Sequence, residues 1–314
     1  MLELFIITFN QTFTLFLFIL LGFLLKKSGK VKGDISKGLS VITVNIFTPL
    51  LSMKTFANNF TKDVISEKAT LMGISLISLL VFLGIGYCFS LVFAREKGKP
   101  SRDTFDIYLY TMTISNLGYF GYPVIESIFG EQMLFNFMIF TIPHSIFINS
   151  VGVYLLNPNK ELSFKSVLNM PMIGILVGMV LGFFEIKLPT PFLNVMSTGG
   201  ACMAPVAMIL TGIIFASNDL KSMVASVKIY VLYVLKLLIL PLLLVPVLMW
   251  LKLPEEASIS ILTIAVLPAG LNSIVFPEAF GGDSKTGAKL CFVSLVMCVI
   301  TIPIVYTIFQ TYVI

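Results

Sequence analysis

Two segments of this sequence set backbone-breaking and amide-bearing residues inside long apolar stretches. The first, SNLGYFGYPVIESIFG, carries Asn116, Gly118, Gly121 and Pro123; the second, AVLPAGLNSIVFPEAFGG, carries Pro268, Gly270, Asn272 and Pro277. Each proline removes a backbone donor and its ring collides with the preceding turn, while glycines tolerate non-helical angles. A helix interrupted in this way exposes unpaired N–H groups at one new end and unpaired carbonyls at the other. The N–H end carries partial positive charge and favours an anion; the carbonyl end favours a cation. Asn116 and Asn272 add amide donors and acceptors beside those ends. The chemistry expected is recognition of a small charged solute, with contacts from Asn116, Gly118, Gly121, Pro123, Pro268, Asn272 and Pro277. The alternative is that proline and glycine only kink two packed helices, since both are frequent in membrane helices.

Other polar residues lie in the same apolar surroundings. Lys236, mid-way along such a stretch, would cost ~2.5–3.5 kcal/mol to insert, so it must meet a partner or water. It is a candidate for attracting a substrate carboxylate, against snorkelling or pairing with a structural carboxylate. Asn45 precedes Pro49 by one helical turn and is expected on the same face, as a substrate contact or an interhelical hydrogen bond; Asn149 carries the same two readings. His144, the single histidine, has an ordinary pKa of about 6.5 that suits a proton relay, although packing is the commoner use. Glu126 and Glu278 follow the two interruptions and are candidates for holding a proton or sodium ion, against solvation at the interface. Asp106 reads as a solvated end residue.

Enzymatic chemistry is not expected from one histidine, no nucleophile motif and no clustered acids. Cys88, Cys202, Cys291 and Cys298 all sit in apolar runs without zinc or disulfide spacing, so neither a metal nor a cofactor is expected. No nucleotide-binding loop of the Walker type occurs, and nothing points to nucleic acid.

These residues must be positioned by membrane helices. Of 314 residues, 57% are hydrophobic and 12% charged, with mean hydropathy +0.98, which excludes a soluble fold. Apolar stretches of spanning length run over about 4–25, 39–57, 69–94, 105–129, 133–156, 168–185, 193–217, 227–251, 257–280 and 288–313. Ten spans are expected, continuous rather than alternating, which argues against a β-barrel. The start lacks the basic region of a cleaved signal peptide. With the N-terminus outside, the inner loops would hold Lys26, Lys27, Lys30, Lys32 and Lys37, then Arg95, Lys97, Lys99 and Arg102, then Lys160 and Lys165, Lys221 and Lys228, Lys285 and Lys289. The outer loops would hold Lys62, Lys68, Lys187 and Lys252, with Lys54 near an outer end. The net charge of +5 is thus a topology signal that places both termini outside a cytoplasmic membrane.

Five spans per half would give the halves opposite orientation. Pro49 pairs with Pro205, Phe129-Gly130 with Phe280-Gly281, and Thr141-Ile142-Pro143 with Thr301-Ile302-Pro303, in order and at nearly constant offset. Residues 4–156 and 168–313 are therefore expected to be two inverted five-helix repeats. Matching interruptions in such repeats mark transporter binding sites.

GFLLKKSG, KGLSVITVNIFTPLL, SNLGYFGYPVIESIFG, KLLILPLL and AVLPAGLNSIVFPEAFGGD together resemble the auxin efflux carrier family over essentially the whole chain, the SNLGYFGYP segment most specifically. The resemblance implies ten all-α membrane helices in two inverted repeats, with broken helices 4 and 9 crossing near the midplane. Helices 1, 2, 6 and 7 would be scaffold, and helices 3–5 and 8–10 a mobile transport domain. It also implies carriage of organic anions such as carboxylates, and makes a homodimer an expectation. Two departures stand out. Asn116 is followed by Leu117 where plant members have Asn-Pro, and the long central loop of many plant members is reduced to NPNKELSFKSV. The function expected is a secondary transporter of a small organic anion by alternating access, with substrate, lipid bilayer and a proton or sodium ion as partners. Its rival is a sensor or channel of the same fold.

Overall fold

In the computed structural model, residues 2–31, 35–62, 65–95, 102–160, 167–218, 223–224 and 226–312 are described. Lys32, Lys97, Lys99, Lys165 and Lys221, used above for topology, lie outside them. Among the described residues the chain is helical without a named strand. Its helices are α1 (Leu2–Lys27), α2 (Ile35–Asn59), α3 (Ile65–Phe93), α4 (Arg102–Thr113), α5 (Leu117–Phe140), α6 (Ile142–Leu156), α7 (Met170–Phe183), α8 (Thr190–Ala216), α9 (Val227–Leu251), α10 (Glu255–Val266), α11 (Asn272–Phe280) and α12 (Ser284–Tyr312).

The helices are apolar on their outer faces as well as their inner ones. On α3, Ile77 is 64% and Leu80 60% exposed, an arrangement stable only where the surroundings are themselves apolar. Six helices, α1, α2, α3, α8, α9 and α12, are long and apolar enough to cross a membrane; α5 with α6, bent by 46°, makes a seventh candidate, and α7 is a shorter apolar helix. The protein is a multi-pass membrane protein. Each of the ten apolar stretches read from sequence is helical over most of its length, and the fourth and ninth are interrupted, between α4 and α5 and between α10 and α11. Gly130 (φ 82°) turns a corner within α5 and Gly281 (φ 76°) ends α11. Both are left-handed angles that favour glycine.

Prolines follow three of the four π-turns among the described residues, the exception being Ile148–Gly152. A proline has no N–H, and its ring presses on the carbonyl four residues back. Immediately before Pro49, Pro123 and Pro241 the helix widens to a π-turn, closed by Thr48 N–H to Thr43 O, Tyr122 N–H to Leu117 O and Leu240 N–H to Leu235 O. Pro205 and Pro303 lie within α-helix, so proline favours the wide turn without imposing it.

Close packing ties four helices together: α1 to α8, α2 to α7, and α8 to α2. Small residues permit it. A Cβ on Gly174 would meet Pro49 O at 2.6 Å, one on Gly178 the Cβ of Phe56 at 2.7 Å, and one on Gly182 Phe60 O at 2.6 Å. The stripe Gly174-Gly178-Gly182 therefore lets the α7 backbone lie directly on α2, the small-residue mode of membrane helix packing. The remaining helices form the other side, with α3 against α4, α5 against α10 and α11 against α12.

Two sequence expectations are corrected. Asp106 is not a solvated end residue: it is 8% exposed, and Lys160 Nζ, reaching across from beyond α6, donates to its Oδ2 at 2.7 Å. Burial of the carboxylate on the helix side turned toward Lys160 supplied the partner. Lys68 belongs to α3 rather than to a loop; it is buried and 4.0 Å from Glu256.

Gly178→Leu should force α7 away from α2 and destabilise the protein by about 2–3 kcal/mol or more. Gly73→Leu on the open face of α3, where a Cβ meets nothing within 4 Å, should leave the melting temperature unchanged. Thermal melting of the two purified variants in detergent checks the contrast.

Candidate functional site

The two interruptions pass one another antiparallel at the centre of the molecule. Ser115 and Ala269 form an antiparallel bridge, Asn116 N–H donates to Pro268 O at 2.8 Å, and Ser115 Oγ donates to Ile264 O at 2.7 Å. Helix α12 completes the second break. Ala269 N–H donates to Ser294 Oγ at 3.0 Å, and the thiols of Cys291 and Cys298 point at Gly270 O and Val266 O, each at 3.2 Å. Freed backbone groups in a membrane must be paired by protein or face a cavity, and here the crossing segments pair much of each other. Gly121 serves this approach, since a Cβ there would meet Leu267 Cδ1 at 2.7 Å.

The remaining polar groups face a cavity of about 280 Å³. One wall is the start of α5, Asn116 to Tyr119, and the start of α11, Gly270 to Asn272. Opposite is α2, through Ser40, Val44, Thr48 and Ser52 spaced four residues apart on one face. Helix α6 contributes Ser145 and Asn149, and the start of α7 contributes Asn169, whose side chain caps its own helix by accepting from Met172 N–H at 3.1 Å. Asn116, 4% exposed, has no side-chain cap bond to its own helix. Tyr110, also lining the cavity, is fully buried and its hydroxyl faces the Asn272 side chain without hydrogen-bond geometry. Among the described lining residues none is Lys, Arg, His, Asp or Glu. A solute there would meet two helix N-termini, four asparagine side chains and several hydroxyls, with Met172, Ile175, Met203 and Phe276 as apolar wall.

The sequence model of the membrane transport protein family matches residues 7–163 and 159–306, almost the whole chain. The chain belongs to this family. It is similar to the uncharacterized transporter YfdV of Escherichia coli K12, 23% identical over 245 residues that cover 74% of this chain and 76% of the relative, and equally to YfdV of Shigella flexneri. The resemblance to auxin efflux carriers read from the helix motifs is thereby shown.

In this transport protein the sequence candidates separate into groups. Asn116, Gly118 and Asn272 line the cavity together. Pro268 joins the crossing through its carbonyl, and Gly121 packs it. Pro123 and Pro277 are buried without lining the cavity. Asn45 does not share the buried face of Pro49: it is exposed, and its amide donates to Val41 O at 2.8 Å. Its amide is satisfied within its own helix, so it calls for no partner from another helix. Lys236 is 3% exposed and lies behind the crossing. His144 is fully buried, stacked on Phe140 with Nδ1 3.3 Å from Ser75 Oγ. Glu126 is half-buried near Lys54, and Glu278 is exposed. None of these last four lines the cavity.

Sequence reading missed Tyr110, Ser115 and the Ser40-Thr48-Ser52 stripe. The stripe was readable as hydroxyls at four-residue spacing in an apolar helix. Ser115 opens the SNLGYFG segment itself, whereas Tyr110 carried no signal beyond proximity to it. Ser115→Ala should strip a buried carbonyl of its donor and destabilise the fold by about 1–3 kcal/mol, while Asn45→Ala should stay within about 0.5 kcal/mol of the parent. Melting curves recorded side by side check both values.

Proposed function

We propose that this protein is a secondary transporter of small organic anions, carboxylates among them, working by alternating access across the cytoplasmic membrane. The observation that carries the reading is the convergence of two interrupted helices, with Asn116 and Asn272 at their N-terminal starts, on one uncharged cavity. Helix N-termini supply N–H donors and partial positive charge to a carboxylate, and amides beside them complete its hydrogen bonds. Half-helices meeting across a pseudo-symmetric centre are the transporter device for such a site.

We read the chain as ten crossings in two inverted repeats. The packing of α1 on α8 and α2 on α7 supports it, because exchanging the halves turns one pair into the other. The positive-φ glycines at Gly130 and Gly281, equivalent in the two halves, support it too. By the distribution of Lys and Arg, Ser40 and Asn169 lie toward the cytoplasm with both termini outside, so a cavity running from the crossing to those residues corresponds to an inward-facing state. The α1, α2, α7 and α8 cluster is then the scaffold. An inside-negative potential drives anion export at ~2.3 kcal/mol per charge per 100 mV.

Uptake of labelled malate, malonate and indole-3-acetate into proteoliposomes under an imposed potential tests the reading. Saturable flux with counterflow is expected, falling about tenfold or more in Asn116→Ala and in Asn272→Ala, as loss of a hydrogen bond to a charged group implies. Flux unchanged in both variants would overturn the site. Ligand binding without flux in folded protein would make it a sensor, and rates above carrier turnover without counterflow a channel.

A further inference from the structure

Lys236 raises a question the substrate cavity does not answer. It is 3% exposed, and among the described residues no carboxylate pairs with it. A buried ammonium without a counter-charge is strongly unfavourable, so something at the end of this side chain must offset it. Its Nζ lies 3.3 Å from Thr111 O and 3.3 Å from Ser115 Oγ. Thr111 O is among the last carbonyls of α4, and because the helix stops at Thr113 the N–H that a continuing helix would bring from Ser115 is lost to it. Ser115 in turn donates to Ile264 O, among the last carbonyls of α10. The ammonium therefore sits where the C-terminal ends of two half-helices converge, each bearing partial negative charge. The N-terminal ends of α5 and α11 line the cavity. Lys236 stands within the π-turn Leu235–Ile239 that precedes Pro241.

We propose that Lys236 is a tethered cation: it holds, as part of the chain, the place at the crossing where freed carbonyls and a hydroxyl would otherwise gather a mobile cation, so that anion movement requires no co-transported cation. It is a positioning residue, acting on the broken ends rather than on the solute. Its placement rests on this geometry alone; its consequence for energy coupling rests on the transport reading above. It agrees with the position of His144, Glu126 and Glu278, none of which lines the cavity.

Two measurements test the proposal. In the first, the parent, Lys236→Met, Lys236→Arg and Lys236→Ala are melted in detergent with sodium or choline chloride, with and without n-propylammonium or n-propanol. Lys236→Met, which keeps the bulk and loses the charge, should melt about 5 °C or more below the parent, and Lys236→Arg should retain most of the stability. Lys236→Ala should regain stability with n-propylammonium and not with n-propanol. Lys236→Met melting with the parent, or equal effects of amine and alcohol, overturns the proposal; if Lys236→Ala does not fold, the Met and Arg variants decide. In the second, parent flux in proteoliposomes should be the same with and without a sodium or pH gradient at fixed potential, while Lys236→Ala flux should require n-propylammonium. Parent flux that needs either gradient overturns the tethered cation. Absence of any parent flux sinks the transport reading instead, and the melting series still decides whether Lys236 supplies the charge.

Discussion

A polypeptide within a bilayer must pair every backbone polar group or turn it toward a cavity, and this structure is organised by the two places where that pairing is interrupted. The interruptions at residues 114–116 and 267–271 satisfy each other: Asn116 N–H finds Pro268 O, Ser115 Oγ finds Ile264 O, and α12 supplies a serine hydroxyl and two thiols to the rest. Without its partner each break would leave those backbone groups unpaired. The antiparallel crossing thus pairs the two breaks with each other and sets a polar cavity beside them.

The crossing also sorts charge. The N-terminal ends of α5 and α11 open on the cavity, while Lys236, which does not line it, is buried against Thr111 O and Ser115 Oγ at the end of α4. Backbone dipoles of opposite sense thereby meet at one junction. Among the described residues that line the cavity none carries a charged side chain.

Around the crossing the helices differ in how closely they are bound. The glycine stripe of α7 puts its backbone against α2, and Gly212 of α8 lies against Ile19 of α1 so tightly that a Cβ would meet the Ile19 carbonyl at 1.9 Å. Contact between the α2 side and the α5 side includes longer polar groups: Lys54 Nζ lies 3.5 Å from Glu131, and Ser40 Oγ 3.3 Å from the Tyr119 hydroxyl.

Membrane class, helical stretches and the two broken segments were determined by the sequence itself, because apolar runs of spanning length and clustered Pro, Gly and Asn act locally. That Asn116 and Asn272 share a cavity followed from treating the breaks as a pair. What only the tertiary structure decided was everything that depends on helix rotation and on partners distant in sequence. Asn45 faces outward although Pro49, one turn on, is buried, and Asp106 is buried with Lys160 as its partner. Lys236 went to Thr111 O and Ser115 Oγ at the crossing rather than to the cavity, and both partners are over a hundred residues away in sequence. Hydrophobic periodicity specifies which residues are helical and membrane-embedded; the azimuth of each helix is set by close contacts such as Gly178 on Phe56, which exist only once the helices have met.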